Sequence, residues 1–342
     1  MTIRAIDLFC GGGGSSAGAV MAGATMVGAV DAWDIATATY ADNFASAKRN
    51  VITERLTDAT GPEIFSRIGR VDLLLASPEC THHSVARGAR PRDEESRRSG
   101  WYVMNMIREL SPRWLVLENV TPMRNWPGFD DLIHELRHRY GYNLEILPLD
   151  SAEFGVPQNR RRLFIIADRL AVPRPPVKAK GQQKPARKIL ASKDEFGWTP
   201  LYAPGRAPKT LERAERAIKE LGKGVDFLLV YYGSDQAGGW QTLDRPLRTL
   251  TTLDRFGLVS WIDGIPMMRM LQVPELKKAM GLPKWFRLEH GTRRDKIRLL
   301  GNGVCAPVME AVVRSLVESP ANLRVGQSRP RTERSICASG LP

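Results

Sequence analysis

The chain has 342 residues, which at roughly 100–200 residues per domain allows about two domains. Hydrophobic residues make up 43% and charged residues 25%, the balance of an ordinary globular protein, and disorder throughout is excluded. Lys plus Arg is 50 against 37 for Asp plus Glu, so the formal net charge of +13 favours a polyanionic partner and says nothing about fold.

Residues 2–9 (TIRAIDLF) are short and apolar and end at a glycine run, the pattern of a buried strand. Gly11–Gly14 lead through Ser15 and Ser16 into a helix that reaches about Gly23. Residues 26–31 read as a second strand and 34–44 as a helix. Residues 71–76 (VDLLLA) are a clear strand, followed by a helix at 101–110 and a strand at 114–118. A helix at 129–140 and strands at 143–149 and 162–167 complete the first half. Strands alternating with helices predict an α/β fold with a mainly parallel sheet.

The character changes at Val172. Residues 173–188 hold four Pro, six Lys or Arg and no acid, which reads as a linker or an extended basic segment. Beyond it a helix is expected at 209–221, strands at 225–232 and 247–261, one or two helices at 267–281 and a last helix at 306–318. From Ser319 on, periodicity fades and a disordered tail is expected. The charge follows the same division: net −1 over 1–172, +9 over 173–291 and +5 over 292–342. A neutral half joined to a basic half suggests a nucleic-acid-facing unit beside a unit with another task.

No run of roughly 18 apolar residues occurs, so no transmembrane helix is expected. The first residues enter a strand pattern directly and do not read as a signal peptide. Cys10, Cys80, Cys305 and Cys337 are far apart, with no CxxC. That spacing argues against a disulfide framework or zinc finger and for a reducing cytoplasm.

Two places carry chemistry. Asp7–Gly14 (DLFCGGGG) sets a glycine turn at the end of the first strand, where open α/β sheets bind ligands. Trp33, just past the second strand, is placed to stack on an aromatic ring, or is simply a core or surface aromatic. Ser77-Pro78-Glu79-Cys80 follows the VDLLLA strand, and a Cys at that edge is a candidate nucleophile, although most single cysteines are small buried hydrophobes. The polar stretch after it, Arg-rich over 87–98, has the length of a lid. His82 and His83 beside Cys80 do not make a metal site, because no second ligand cluster exists.

In order, DLFCGGGG, SPEC, Glu118-Asn119-Val120, Gln158-Asn159-Arg160-Arg161-Arg162 and Gly301-Asn302-Gly303-Val304 resemble the motifs of the DNA (cytosine-5)-methyltransferases. The resemblance covers about 1–170 and 245–315, and its specificity lies in five motifs standing in sequence. It implies a Rossmann-like class I fold dependent on S-adenosylmethionine (SAM), with a smaller, basic target-recognition domain. The implied division is 1–172 plus 292–318 for catalysis, 173–291 for target recognition and 319–342 as a tail. Cytosine C5 is a poor nucleophile until a thiolate adds to C6, and the resemblance makes Cys80 that thiolate. Glu118 would hold or protonate N3, Asn119 would help fix the strand end, and Arg160 and Arg162 would share a strand face toward cytosine O2 and the nucleophile loop. For SAM, Phe9, Gly11 and Gly13 would line the methionine and ribose part, and Trp33 would face the adenine. Asp58 would accept from the adenine amino group, and Asn302 with Val304 would close the site from the C-terminal motif. The implied partner is double-stranded DNA with the target base flipped out, bound by a monomer away from any membrane.

Two positions depart from the family pattern. Glu79 stands where many members have a second Pro. Ala32 stands where an acid usually binds the ribose hydroxyls, with Asp31 and Asp34 on either side as replacements. These departures leave open a modified SAM cofactor. An RNA substrate and a catalytically silent nucleic-acid-binding protein are the other readings.

Overall fold

The run LLLA at 73–76 is apolar on both faces, as a strand covered on both sides must be. It forms β4 (Leu73–Ala76), in the middle of a seven-stranded sheet. The computed structural model describes residues 2–66, 68–78, 98–232 and 238–318. The other strands of this sheet are β1 (Ile3–Leu8), β2 (Ala24–Asp31), β3 (Val51–Thr53), β5 (Trp114–Asn119), β6 (Asn143–Asp150) and β7 (Arg161–Asp168). Their order is β3-β2-β1-β4-β5-β7-β6. The first five pair in parallel, and β7 runs antiparallel to both β5 and β6.

Alternation decides the layers. Leu73 and Leu75 join one core cluster, while Leu74 and Ala76 join the other. The first face is covered by α1 (Gly14–Met21), α2 (Asp34–Asn43) and a helix near the C-terminal end of the described chain. The second is covered by α3 (Val103–Leu110) and α4 (Phe129–His134). The helix expected at 129–140 is α4 followed by one wide turn at Glu135–Arg139.

A second sheet is antiparallel throughout, in the order β10-β9-β11-β12-β8. Its strands are β8 (Thr199–Pro200), β9 (Phe227–Val230), β10 (Trp240–Thr242), β11 (Phe256–Ile262) and β12 (Ile265–Met270). Helix α5 (Pro208–Leu221) lays Ala214 and Ala217 against Phe227 and Leu229 on one face. The other face turns Leu228, Val230 and Leu258 into the cluster that also holds Phe154 and Val312. The two sheets therefore share one core. Helices α6 (Val273–Ala279), α7 (Arg293–Asn302) and α8 (Ala306–Val317) complete the described chain.

Three expectations change here. Residues 267–270 are strand, not helix, because Asp263 and Gly264 both have positive φ (48° and 75°). That is the two-residue hairpin turn, and it pairs Ile262 with Ile265. Residues 247–255 do not join the sheet. Their amides go elsewhere, Leu247 N–H to the Pro157 carbonyl and Leu250 N–H to Gln158 Oε1. The basic segment from 173 is extended as expected, yet it ends in the core, where Ala186 and Ile189 are fully buried. The span 293–317 is also long and apolar enough to cross a membrane by length and composition alone; it breaks into two helices around Val304, and 56% of the window is buried. The tail expected from Ser319 onward lies outside the described residues.

Candidate active site

The site lies at the C-terminal edge of the parallel strands, where β1, β2, β4 and β5 end. Chain direction explains the fifth contributor. Because β7 is antiparallel to β5, its first residues lie beside the last residues of β5, and Arg162 reaches Glu118.

The glycine turn comes first. Phe9 (φ 58°), Gly11 (φ 50°) and Gly13 (φ 96°) all take positive φ as β1 turns into α1. A Cβ on Gly13 would lie 2.4 Å from the Phe44 ring, and one on Gly14 2.5 Å from the Val304 carbonyl oxygen. Those two glycines allow close approach of chain to chain. At Gly11 a Cβ would meet nothing within 4 Å, so this glycine borders open space. The turn is held by Asp31, whose carboxylate accepts from Gly11 N–H at 2.8 Å and from Trp33 N–H at 2.9 Å. Beneath it Asp7 is fully buried, accepting from Ser16 Oγ at 2.6 Å, and Ser16 Oγ is also 2.7 Å from the Tyr40 hydroxyl. Burial pushes the Asp7 carboxyl up to about 7, against the lowering effect of the Ser16 bond and with a further raising effect from Asp31.

A cavity of about 480 Å³ opens at this edge, within the range of small-molecule sites. Phe9, Gly11, Asp31 and Trp33 line one end. Ser77, Pro78, Glu118 and Arg162 line the other, and Asn302, Gly303 and Val304 close it from the C-terminal motif. Gly14 and Ser15 also reach the wall, so the start of α1 faces the cavity with no side-chain cap. Such a helix end suits an anionic group.

Glu118 is 6% exposed, and its carboxylate is 3.2 Å from Arg162 Nε. Burial raises its pKa above the ordinary glutamate value, and Arg162 and then Arg160 work in the opposite direction. Asn119 uses its amide to tie two strand ends together: Nδ2 donates to the Pro78 carbonyl at 3.1 Å, and Oδ1 accepts from Val120 N–H at 2.8 Å. It thereby holds the segment that leads to Cys80, which lies outside the described residues, as do Glu79, His82 and His83.

The structure separates the two arginines that the strand pattern joined. Strand β7 begins at Arg161, and Arg160, 2% exposed, is not on the cavity wall. Its guanidinium donates to the Leu250 carbonyl at 2.9 Å and the Gly301 carbonyl at 2.7 Å. A Cβ on Gly301 would lie 2.3 Å from the Thr251 carbonyl oxygen, so these segments touch backbone to backbone. Arg160 is thus a clamp between the 250–251 loop and the C-terminal motif. Gln158 does similar work beside it, donating to the Ala279 carbonyl and accepting from Leu250 N–H.

Of the residues expected at the cofactor, Asp58 is exposed and off the wall, and Gly13 is turned away toward Phe44. Arg55, three residues before Asp58, lines the cavity instead. Arg298 was missed as well. Its guanidinium carbon lies 4.5 Å from the centroid of the Trp33 ring. The signal was present, since Arg298 stands one helical turn before Asn302 and shares its face.

Residues 3–200 match the family model of the C-5 cytosine-specific DNA methylases. The type II methyltransferase M.XorII of Xanthomonas oryzae pv. oryzae is 31% identical over 179 residues, 50% of this chain and 41% of that protein. The chain therefore spans about two fifths of the length of that relative. M.HgiDI of Herpetosiphon aurantiacus, also a type II methyltransferase, is 31% identical over 221 residues, 63% of this chain and 68% of that protein. The fold resembles that of the Entamoeba histolytica methyltransferase EhMeth, with a TM-score of 0.69 at 17% identity over 93% of this chain and 98% of the other. With more than half of its length matched by the family model and its motifs gathered around one cavity, the chain belongs to the C-5 cytosine-specific DNA methylase family.

Proposed function

We propose that this protein methylates C5 of cytosine in double-stranded DNA, with SAM as methyl donor. The observation that carries this reading is one cavity with a glycine turn and Trp33 at one end and the buried Glu118–Arg162 pair at the other. Its volume of about 480 Å³ is in the range of sites that enclose a small molecule. The residues fit SAM: Gly11 borders open space, the start of α1 suits the methionine carboxylate, and Phe9 and Trp33 offer aromatic faces. Asn302 and Val304 would close over it. When bound, SAM supplies an electrophilic methyl group.

The chain's own residues do the rest. Cys80 is assigned as the nucleophile, its thiolate adding to C6 so that electron density reaches C5. Glu118, holding its proton to higher pH than a free glutamate, donates to N3 and draws density from C6. Arg162 steadies that carboxyl and offers N–H groups to the cytosine O2. After methylation, the C5 proton leaves to solvent, its bonding pair re-forms C5=C6 and expels the thiolate, and N3 returns its proton to Glu118, which restores the ring and the enzyme. The target base must leave the helix, at a cost of a few kcal/mol. The second sheet and its flanking segments (173–291, net +9) are assigned to offset this through phosphate contacts. Residues 1–172 with 292–318 form the catalytic unit in this reading, which places a working monomer in the cytoplasm.

Expression in a methylation-free host, followed by nucleoside mass spectrometry of the genomic DNA, tests this. The expected result is 5-methylcytosine, absent with Cys80→Ala. Unmodified cytosine with the wild-type chain would overturn the reading, and a different added mass would replace SAM by a modified cofactor.

A further inference from the structure

The ribose end of the cavity lacks the acid that the family pattern leads one to expect, because Ala32 occupies that position. The two neighbouring acids are engaged by the main chain. The Asp34 carboxylate accepts from Ile35 N–H at 2.8 Å at the start of α2, and Asp34 is not on the cavity wall. Asp31 is on the wall, and its carboxylate is fixed in place by Gly11 N–H on one oxygen and Trp33 N–H on the other. Cations stand beside it: Arg55 and Arg298 also line the wall. Arg298 is exposed, with its guanidinium carbon 4.5 Å from the Trp33 ring centroid, and that guanidinium makes no hydrogen bond among the described residues.

We propose that Arg298 is the specificity-determining residue for the cofactor's ribose, its guanidinium donating to the sugar oxygens where a carboxylate would accept from the hydroxyls. The assignment rests on the SAM reading above. A hydroxyl both donates and accepts, so reversing the partner's polarity preserves recognition. The contact with the Trp33 ring restrains the guanidinium before the ligand arrives, so less side-chain freedom remains to be lost on binding. Arg298 and Asn302, one turn apart on α7, would then act on the same ligand.

The test is calorimetric, on the full chain without DNA, with S-adenosylhomocysteine as the probe. Arg298→Met should weaken its binding about tenfold or more, as expected for losing a charge-assisted hydrogen bond. Arg298→Lys should recover part of the loss, and the thermal midpoint of the unliganded protein should not move. Displacement by nucleosides gives a readout that a structural role would not shift. The wild-type chain should prefer adenosine over 2′,3′-dideoxyadenosine, and Arg298→Met should lose that preference. Unchanged homocysteine-adduct binding in Arg298→Met, or an unchanged nucleoside preference, would overturn the assignment alone. Failure of the wild-type chain to bind S-adenosylhomocysteine would overturn it together with the SAM reading.

Discussion

At the scale of single residues, the site contains carboxyls whose pKa burial raises. Glu118 is the functional case, with its pKa raised by burial against the pull of Arg162 and Arg160. In the proposed reaction its protonated form donates to N3, so methylation should slow as pH rises through the raised value. Glu118→Gln cannot give up a proton, and its kcat should fall by about 10² or more, with a pH profile that lacks this limb. A steady-state pH series on both proteins checks the expectation. Asp7 is the structural case. Its carboxyl is held at about 7 against 3.8 for a free aspartate, so between these values the folded chain keeps a proton that the unfolded chain has released. The stability tied to that proton is complete below pH 3.8 and is lost as pH climbs to about 7. Asp7→Asn keeps an acceptor for Ser16 and removes the titration. Urea melts at pH 5 and pH 8 should show the variant gaining on the wild type at the higher pH, and a constant difference would contradict this account.

At the scale of elements, glycines decide how closely helices meet. Gly18 lies inside α1, where Ala normally stabilises a helix by about 1 kcal/mol. Here a Cβ would lie 2.4 Å from the Ala306 carbonyl oxygen and 2.7 Å from Met309 Cβ. The backbone oxygen cannot move aside as a side chain can, so Gly18→Ala should lower the thermal midpoint rather than raise it. The α1–α8 contact also carries the C-terminal motif, since Gly14 meets Val304 along the same line. A weaker Kd for S-adenosylhomocysteine should therefore accompany the loss of stability. The hairpin at Asp263-Gly264 works the other way: two residues with positive φ impose strand on a Met-rich run that reads as helix by composition.

At the scale of the whole molecule, a buried ion pair ties the linker between the two sheets to the second one. Arg269 on β12 and Glu275 on α6 form a two-pronged pair at 2.7 Å, with side chains 3% and 0% exposed. Glu275 also accepts from Ala191 N–H and Gln272 N–H, and Arg269 lies 4.8 Å from the Trp198 ring. One pair thus anchors the segment that leads from the basic linker into the second sheet. Arg269→Met would leave the Glu275 carboxylate buried without its cation, at a cost of about 3–5 kcal/mol. Arg269→Met with Glu275→Leu should recover most of this in chemical denaturation. If the double variant is as unstable as the single one, the loss is one of packing and not of charge.

Much of this molecule was legible in the chain itself. Alternating apolar strands and helices specified the parallel sheet, because burial on both faces leaves an almost continuous apolar run such as 73–76. Ordered motifs marked Phe9, Gly11, Trp33, Glu118, Arg162, Asn302 and Val304, all of which line one cavity. Tertiary structure decided the rest. Arg160 and Arg162 look equivalent in sequence, yet one clamps carbonyls 90 and 141 positions away and the other faces Glu118. Asp31, Ala32 and Asp34 could not be ranked until the glycine turn claimed the Asp31 oxygens. Arg298 acquired a role only when α7 folded back over Trp33. Local patterns report which face of an element is apolar, but they carry no information on which distant backbone groups will need a donor.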